Sequence, residues 1–318
     1  MTTYSFKHTA IIGAGAVGSF YGAMLARAGH KVTLIGRAAH VQAITKDGLK
    51  LNLSGASHDE IIHLQASTEL DAISSADLVL FCVKSTDTLA TAKEISKRLA
   101  SNAVVMSLQN GVENAALIES QLSQPVIPSV VYVATELGGP GYVKHHGRGE
   151  LVIGKSQNLR LKNPEETLSQ LVDFFASAQV IVKISEDIRI ELWSKLLINC
   201  AFNAMSGLAQ IQYEMMPRLE SVLSTQSELI KEVISVAKAD GVNLSESLLL
   251  DAVAQIPKTM GSQKSSTAQD MARSKSSEID HLNGFIVRRG KELGIPTPIN
   301  QTLFALVKLV ESKYTVKS

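Results

Sequence analysis

The feature that most constrains this chain lies near its start, where the apolar run HTAIIG leads into GAGAVG and then into AVGSFYGAMLARAG. A short run of apolar residues that stops at a glycine reads as a buried strand. The amphipathic stretch after it reads as a helix ending at Gly29. Gly13, Gly15 and Gly18 stand at the join in the spacing GxGxxG. Between a strand and a helix each has a physical reason to be there. Gly13 permits a tight turn, Gly15 lets backbone approach a ligand, and Gly18 lets helix and strand pack closely. The first turn of a helix presents unpaired N–H groups and the positive end of the helix dipole, so this turn suits a pyrophosphate. Gly13, Gly15, Ala16, Val17 and Gly18 are the residues expected to hold it.

The alternation continues downstream. HKVTLIGR is a second strand, followed by a helix over 38–46, and LKLNL with IIHLQA flank the turn-rich SGASHDE as a hairpin. ADLVLFCVK and NAVVMSLQNG are further strands, with helices over 86–99 and 112–122. Strands alternating with helices predict a parallel, doubly wound sheet of Rossmann type. VIPSVVYVATELGGPGYVKHHGRGELVIG is too rich in β-branched residues and glycine for a helix, and reads as strands and tight turns that are antiparallel in part. A helix over 164–178 and the strand QVIVKIS follow. From Glu186 onward helical periodicity takes over, through LSTQSELIKEVISVAKADG, SLLLDAVAQIPK, EIDHLNGFIVRRGKELG and NQTLFALVKLVESKY. The expected organisation is an α/β domain over 1–184 and a mainly α-helical domain over 185–318. The polar stretch QKSSTAQDMARSKSS, 263–277, reads as a mobile loop or an approach to an active site.

The end of the second strand bears on which dinucleotide binds. A carboxylate there would accept from a ribose 2′-hydroxyl, whereas this chain has Gly36-Arg37. A guanidinium can bind a 2′-phosphate through two hydrogen bonds, so Arg37 predicts NADPH/NADP+. Lys84 and Asn110 follow two other strands, at the carboxyl ends where open α/β sheets bind ligands, and are candidates to line the nicotinamide end. Asn110-Gly111 is also a plain turn former.

The helical part opens on LWSKLLINCAFNAMSGL, which places Lys195, Asn199 and Asn203 four residues apart in an otherwise greasy run. Steps of four residues turn a helix by about 400°, so the three side chains share an arc of about 80°. A helix apolar on most of its remaining surface is buried, and burying an unpartnered polar group costs roughly 2–7 kcal/mol. Protein groups or a polar ligand must therefore face the stripe.

Composition narrows the partners. A formal net charge of +1 gives no case for nucleic acid or an anionic membrane, and the chain has no long apolar span. The apolar residues 10–29 are broken by the glycines and preceded by a single Lys, which argues against a targeting signal. Cys82 and Cys200 lie far apart in apolar contexts, as in a reduced cytoplasmic protein. No metal is expected: His145-His146 point apart on a strand, and His281 reads as a surface or packing residue. Arg288-Arg289 reads as a solvated helix face or a substrate or cofactor contact.

GAGAVG, Arg37, CVK, QNG, RIELWSKLLINCAFN, SSTAQDM and EIDHLNGFIVRRGKELGIPTPIN together resemble the ketopantoate reductases (2-dehydropantoate 2-reductases), and the likeness runs through nearly the whole chain. The resemblance implies a Rossmann domain followed by a helical domain, and NADPH-dependent reduction of ketopantoate to (R)-pantoate on the route to pantothenate and coenzyme A. It assigns Lys195 as the catalytic lysine and Asn199 and Asn203 as substrate-binding residues. It puts Asn110 beside substrate and nicotinamide, and Ser266 and Glu278 in the substrate site, with Glu278 also near the cofactor. Lys195 as general acid and Glu278 as the carboxylate that keeps it charged fit the chemistry independently. This chain departs from the family pattern at Ala204, where proline is usual, at Gln263, where asparagine is common, and at Thr267, where methionine is frequent. These departures keep open another branched 2-oxo acid as substrate. A non-enzymatic dinucleotide sensor is a further reading, but it would not need Lys195, Asn199, Asn203 and Glu278 together. A homodimer through the helical domain is compatible with the sequence.

Overall fold

The computed structural model describes residues 6–314. By its contacts the chain forms two compact units: one runs to Gln109 and resumes over Glu113–Ile188, the other joins Asn110–Val112 to the chain from Arg189 onward.

The first unit is built on ten strands. β1 (Thr9–Ile12), β2 (Val32–Ile35), β6 (Leu78–Phe81) and β7 (Val104–Ser107) are buried on both faces, which is why each is a continuous apolar run or nearly so. Between them lie α1 (Ala16–Arg27), α2 (Ala38–Asp47), β3 (Leu49–Asn52), β4 (Glu60–Ile62) and β5 (Gln65–Ser67). The later elements are α3 (Thr88–Ile95), α4 (Asn114–Glu119), β8 (Val126–Gly139), β9 (Tyr142–Ile153), α5 (Pro164–Ser177) and β10 (Val182–Ile184). The strand order is β4-β3-β9-β8-β7-β6-β1-β2-β5, with β10 added to β9. From β1 the chain winds outward to β2 and β5, then returns to β6 and winds the other way through β7 and β8, all in parallel pairs. The direction of winding changes at β1/β6, the switch point where such sheets bind ligands.

One expectation changes in detail and another is met. LKLNL and IIHLQA do not form one clean hairpin. β3 pairs antiparallel with β4, but Gln65–Ser67 leaves to run parallel beside β2, where Thr33 donates to Gln65 across the strands at 3.1 Å. The glycine-rich stretch after 125 is two long strands, antiparallel over most of their length, with β8 also extending the parallel sheet through Val126–Pro128.

The second unit is helical: α6 (Ile188–Ala209), α7 (Glu220–Ala239), α8 (Glu246–Thr259), α9 (Ser266–Ala272), α10 (Asn283–Leu293) and α11 (Pro298–Glu311). Its core gathers Trp193, Leu197 and Phe202 of α6 with Leu229 and Val233 of α7 and Phe285 of α10. The start of α11 is held from outside, because Glu232 on α7 accepts the N–H groups of Ile299 and Asn300 at 2.8 and 3.0 Å. The polar stretch 263–277 is not a loop throughout. Ser265 caps α9 by accepting the Ala268 N–H at 3.0 Å, and Thr267, Ala268 and Met271 turn one small face inward. Among the described residues no helix is long and apolar enough to cross a membrane.

Candidate active site

In the first unit the glycine turn is shaped by backbone contact. Gly13 has φ +98°, and a Cβ there would meet the backbone of Cys82 and Val83 at 2.6–2.8 Å, at the carboxyl end of β6. A Cβ on Gly18 would strike the Gly13 carbonyl and the Ile11 side chain, so helix α1 can approach β1 only through glycine. Gly15 differs: the space its Cβ would occupy is open. It precedes α1 with no side-chain cap and no acidic residue in the first turn, which leaves the N–H groups of Ala16, Val17 and Gly18 without helical acceptors. An open cradle over uncapped N–H groups is what a pyrophosphate requires.

The turn is tied to the next strand, since Gly13 and Ala14 both donate to Ile35 O, at 3.1 and 2.9 Å. Two residues beyond stands Arg37, exposed, at the start of α2, which also lacks a side-chain cap. Gly36 between them allows the close approach, as a Cβ there would lie 2.8 Å from that of Ala14. His40 fastens the arrangement. Its Nδ1 accepts the Gly141 N–H at 2.9 Å, so Nε2 carries the proton and donates to Ser19 Oγ at 3.1 Å; that hydroxyl in turn donates to Ala14 O at 3.3 Å. Burial pushes the His40 imidazole below its ordinary range, in keeping with the neutral form this chain of bonds requires.

Lys84 is exposed at the end of β6, at the start of a single 3-10 turn over Ser85–Asp87. A buried polar cluster fixes this turn and the one after β7. Gln109 donates from Nε2 to Val83 O at 3.0 Å and to Thr88 Oγ1 at 2.8 Å, while Asn114 accepts from Thr88 and donates to Ser85 at 3.1 Å each. These residues escaped the sequence reading. Gln109 was visible only as the first residue of a strand-end QNG, yet a buried glutamine beside a turn is a positioning device.

The second unit holds Asn110, Lys195, Asn199, Asn203, Ser266 and Glu278. On α6 Lys195 and Asn199 are partly buried and Asn203 is buried, while Trp193, Leu196, Leu197, Cys200, Ala201 and Phe202 fill the apolar remainder. The segment Ser277–Asn283 runs beside the face one residue on from the stripe. Ile279 shares an apolar cluster with Ala204, and Asn283 Nδ2 reaches Cys200 O at 3.4 Å. Glu278 is partly buried, and Asn110 Nδ2 donates to its Oε2 at 3.2 Å. The start of α9 is sewn to the far end of α6. The Ser265 N–H donates to Ser206 Oγ at 3.2 Å and its hydroxyl to Asn203 O at 3.3 Å, so exposed Ser266 begins its helix next to the last residue of the stripe.

The departures from the family pattern fall into place locally. Ala204 is fully buried, and α6 continues unbroken past it to Ala209. Thr267 is buried against Gly207, where any Cβ would meet its methyl at 2.8 Å, so this change is absorbed in helix packing. Gln263 is partly exposed, and its carbonyl accepts the Tyr213 N–H at 3.0 Å. The two cysteines are free, and burial pushes both thiols far up, which unfits them as nucleophiles. His146 lies 3.4 Å from Glu136, and His145 stacks on Phe20. Among the described residues no group of three or more His, Cys, Asp or Glu is disposed to hold a metal. Arg289 is engaged with Asp240 and Glu292, and Arg288 donates to Asp280 O, so both are bound up in the helical unit's own surface.

Comparison with known proteins is consistent along the chain. Residues 9–158 match the family "Ketopantoate reductase PanE/ApbA" and residues 187–311 its C-terminal part. The chain is 32% identical to a 2-dehydropantoate 2-reductase of Pyrococcus horikoshii, covering 95% of this chain and 97% of the relative. The crystal structure of a PanE/ApbA family ketopantoate reductase from Ralstonia eutropha JMP134 superposes with a TM-score of 0.89 at 51% identity, over 97% of this chain and 99% of that one. A D-mandelate dehydrogenase in ternary complex with NADH and anilino(oxo)acetate superposes at 0.90 with 26% identity, over 98% and 100% of the two chains.

Proposed function

The chain belongs to the ketopantoate reductase family, and we propose that it reduces 2-dehydropantoate to (R)-pantoate with NADPH. The observation that carries this reading is the Asn110–Glu278 hydrogen bond. It brings a strand-end turn and a carboxylate 168 residues away into one unit with the Lys195, Asn199, Asn203 stripe. When bound, the nicotinamide cofactor supplies a hydride to the substrate's C2.

The chain's own residues do the rest. Charge that develops on the carbonyl oxygen needs a positioned proton donor, and Lys195 is suited to supply it from Nζ. Glu278 keeps that ammonium charged against partial desolvation, and Asn110 holds the carboxylate through a hydrogen bond to Oε2. The amides of Asn199 and Asn203 and the hydroxyl of Ser266 offer hydrogen bonds to hydroxyl and carboxylate oxygens without adding charge. Ala16, Val17 and Gly18 bind pyrophosphate through backbone N–H groups at the open Gly15. Arg37 takes the 2′-phosphate, and Lys84 and Asn110 line the nicotinamide end. We assign cofactor binding to 1–184 and substrate binding to 185–318 together with Asn110. Free thiols suit a cytoplasmic setting. Apolar surface at Leu219, Leu223 and Leu248 suits a homodimer, which sedimentation of the purified protein tests.

One observation favours a second substrate. The D-mandelate dehydrogenase neighbour holds a different oxo acid, and Gln263 puts a longer amide where the family commonly has asparagine. Following NADPH consumption with ketopantoate beside a panel of other 2-oxo acids separates the readings. A kcat/KM highest for ketopantoate supports the first, and preference for another oxo acid supports the second. Tight NADPH binding with no turnover of any of them would leave only a dinucleotide sensor.

A further inference from the structure

Glu311, on the last turn of α11, is only 6% exposed, an unusual place for a carboxylate. Its Oε1 accepts two hydrogen bonds from a single residue: the Ser277 N–H at 2.7 Å and the Ser277 hydroxyl at 2.6 Å. Its Oε2 is buried and accepts no hydrogen bond, with Lys308 Nζ 3.5 Å away. A residue present only to fill this space would be apolar, since burying a carboxylate is unfavourable even with an ion pair to Lys308 on one oxygen. What the carboxylate accomplishes is to fix Ser277.

Ser277 immediately precedes Glu278. With its hydrogen bond given to Glu311, the Ser277 hydroxyl accepts the Ile279 N–H at 3.3 Å, so the backbone on both sides of Glu278 is tied to one buried carboxylate. Ile279 is fully buried among Ala204, Met271 and Val307, which locks the same turn against α6 and α11. Lys308 closes the outer side by binding Asp280 at 2.8 Å. Both residues that flank Glu278 are thus held by hydrogen bonds, while Glu278 itself stays partly buried and takes the Asn110 amide.

We propose that Glu311 is a positioning residue for the reduction, setting the place of the Glu278 carboxylate through Ser277 without touching substrate or cofactor. This rests on the assignment of Glu278 to the reaction. Misplacing a reacting group by about 1 Å can cost on the order of a hundredfold in rate. Glu311→Ala is therefore expected to lower kcat by about ten- to a hundredfold while the KM for NADPH stays within about twofold. Glu311→Gln, which keeps the acceptor for both Ser277 donors, should restore most of the turnover. Ser277→Ala removes one of those donors but not the backbone one, so it should show a smaller kcat loss and serves if Glu311→Ala fails to fold.

The deciding comparison is the double variant. In a Glu278→Gln background Glu311→Ala should cost no further turnover, because the two act through one carboxylate. An additive loss there overturns the proposal. So does an Ala variant with reduced melting temperature but native kcat. If Glu278→Gln is impaired and Glu311→Ala is not, Glu311 alone has been misassigned. If Glu278→Gln turns over normally, the role of Glu278 falls as well.

Discussion

In the proposed assignment the two units make their binding surfaces from opposite materials. In the first, the cofactor turn consists of what is missing: no Cβ at Gly13, Gly15 and Gly18, no cap on α1, no acid after β2. Its donors are backbone N–H groups, and its precision comes from strands and helices in van der Waals contact. In the second, the proposed site consists of side chains, with a lysine and amides on α6, the Glu278 carboxylate before the 3-10 turn Ile279–His281, and Asn110 on a strand-end loop. A surface made of backbone fails when an atom is added, whereas one made of side chains fails when an atom is removed. The two therefore call for opposite mutations.

The largest expected effect is removal in the second unit. Lys195→Ala should lower kcat by about 10²–10⁴-fold, the range for a lost general acid, with NADPH affinity nearly unchanged in a fluorescence titration. Near-normal turnover would erase the contrast. Next comes addition in the first unit. Gly15→Ala places a methyl in open space, so thermal melting should match the parent while NADPH affinity falls by about tenfold or more, as expected when one or two charge-assisted hydrogen bonds are lost. Gly13→Ala should do the reverse in kind, losing about 1–3 kcal/mol of stability in denaturant titration because φ +98° and the β6 backbone both oppose a Cβ. If the two variants behave alike, the turn is not divided between a packing glycine and a ligand-facing one. Arg37→Asp should exchange preference between NADPH and NADH by about tenfold or more in the ratio of kcat/KM values, with little change in melting.

The smallest effect is acid sensitivity, which should belong to the first unit. Burial holds the imidazoles of His8, His30 and His40 below their ordinary range, and all three lie in that unit. A depressed folded value means that the unfolded chain takes up protons first on acidification. The stability these groups contribute is complete above the unfolded value of about 6.5 and is lost as pH falls from there through the folded values. Differential scanning calorimetry from pH 7.5 to 5.5 should show a falling melting temperature, and His40→Gln should flatten the slope. A slope unchanged in His40→Gln and in the corresponding His8 variant would assign the acid response elsewhere.

The contrast between the units also governs what could be read from residue order. A backbone-built site announces itself, because glycines at fixed offsets between a strand and a helix have few other reasons to exist. The polar stripe on α6 was legible for a similar reason: amides and an ammonium in a greasy helix break a period. Contacts between distant segments were not legible. Nothing in SSEID says that Ser277 will be held by Glu311, or that Gln109 will turn inward to Val83. Of the two readings of 263–277, a mobile loop or an approach to an active site, the loop fails over α9, because serine and glutamine occur equally in loops and at helix starts and only the placement of Ser265 against α6 separates the two. The hairpin after Lys46 holds between β3 and β4, but Gln65–Ser67 leaves it to pair with the edge of β2, a choice of partner that residue order does not reveal.

The 168 residues between Asn110 and Glu278 acquire another meaning when the chain is followed as it is made. At ribosomal speeds of about 5–20 residues per second, Asn110 emerges roughly ten to thirty seconds before its partner carboxylate exists. The whole sheet with its glycine turn can be complete in that interval. The Asn110–Glu278 bond is absent through all of it, and the helix that carries Glu311 is made later still. Assembly of this corner accordingly follows that of the sheet, and a nascent chain arrested before Glu278 would hold the sheet and the glycine turn without the carboxylate proposed to serve the reduction.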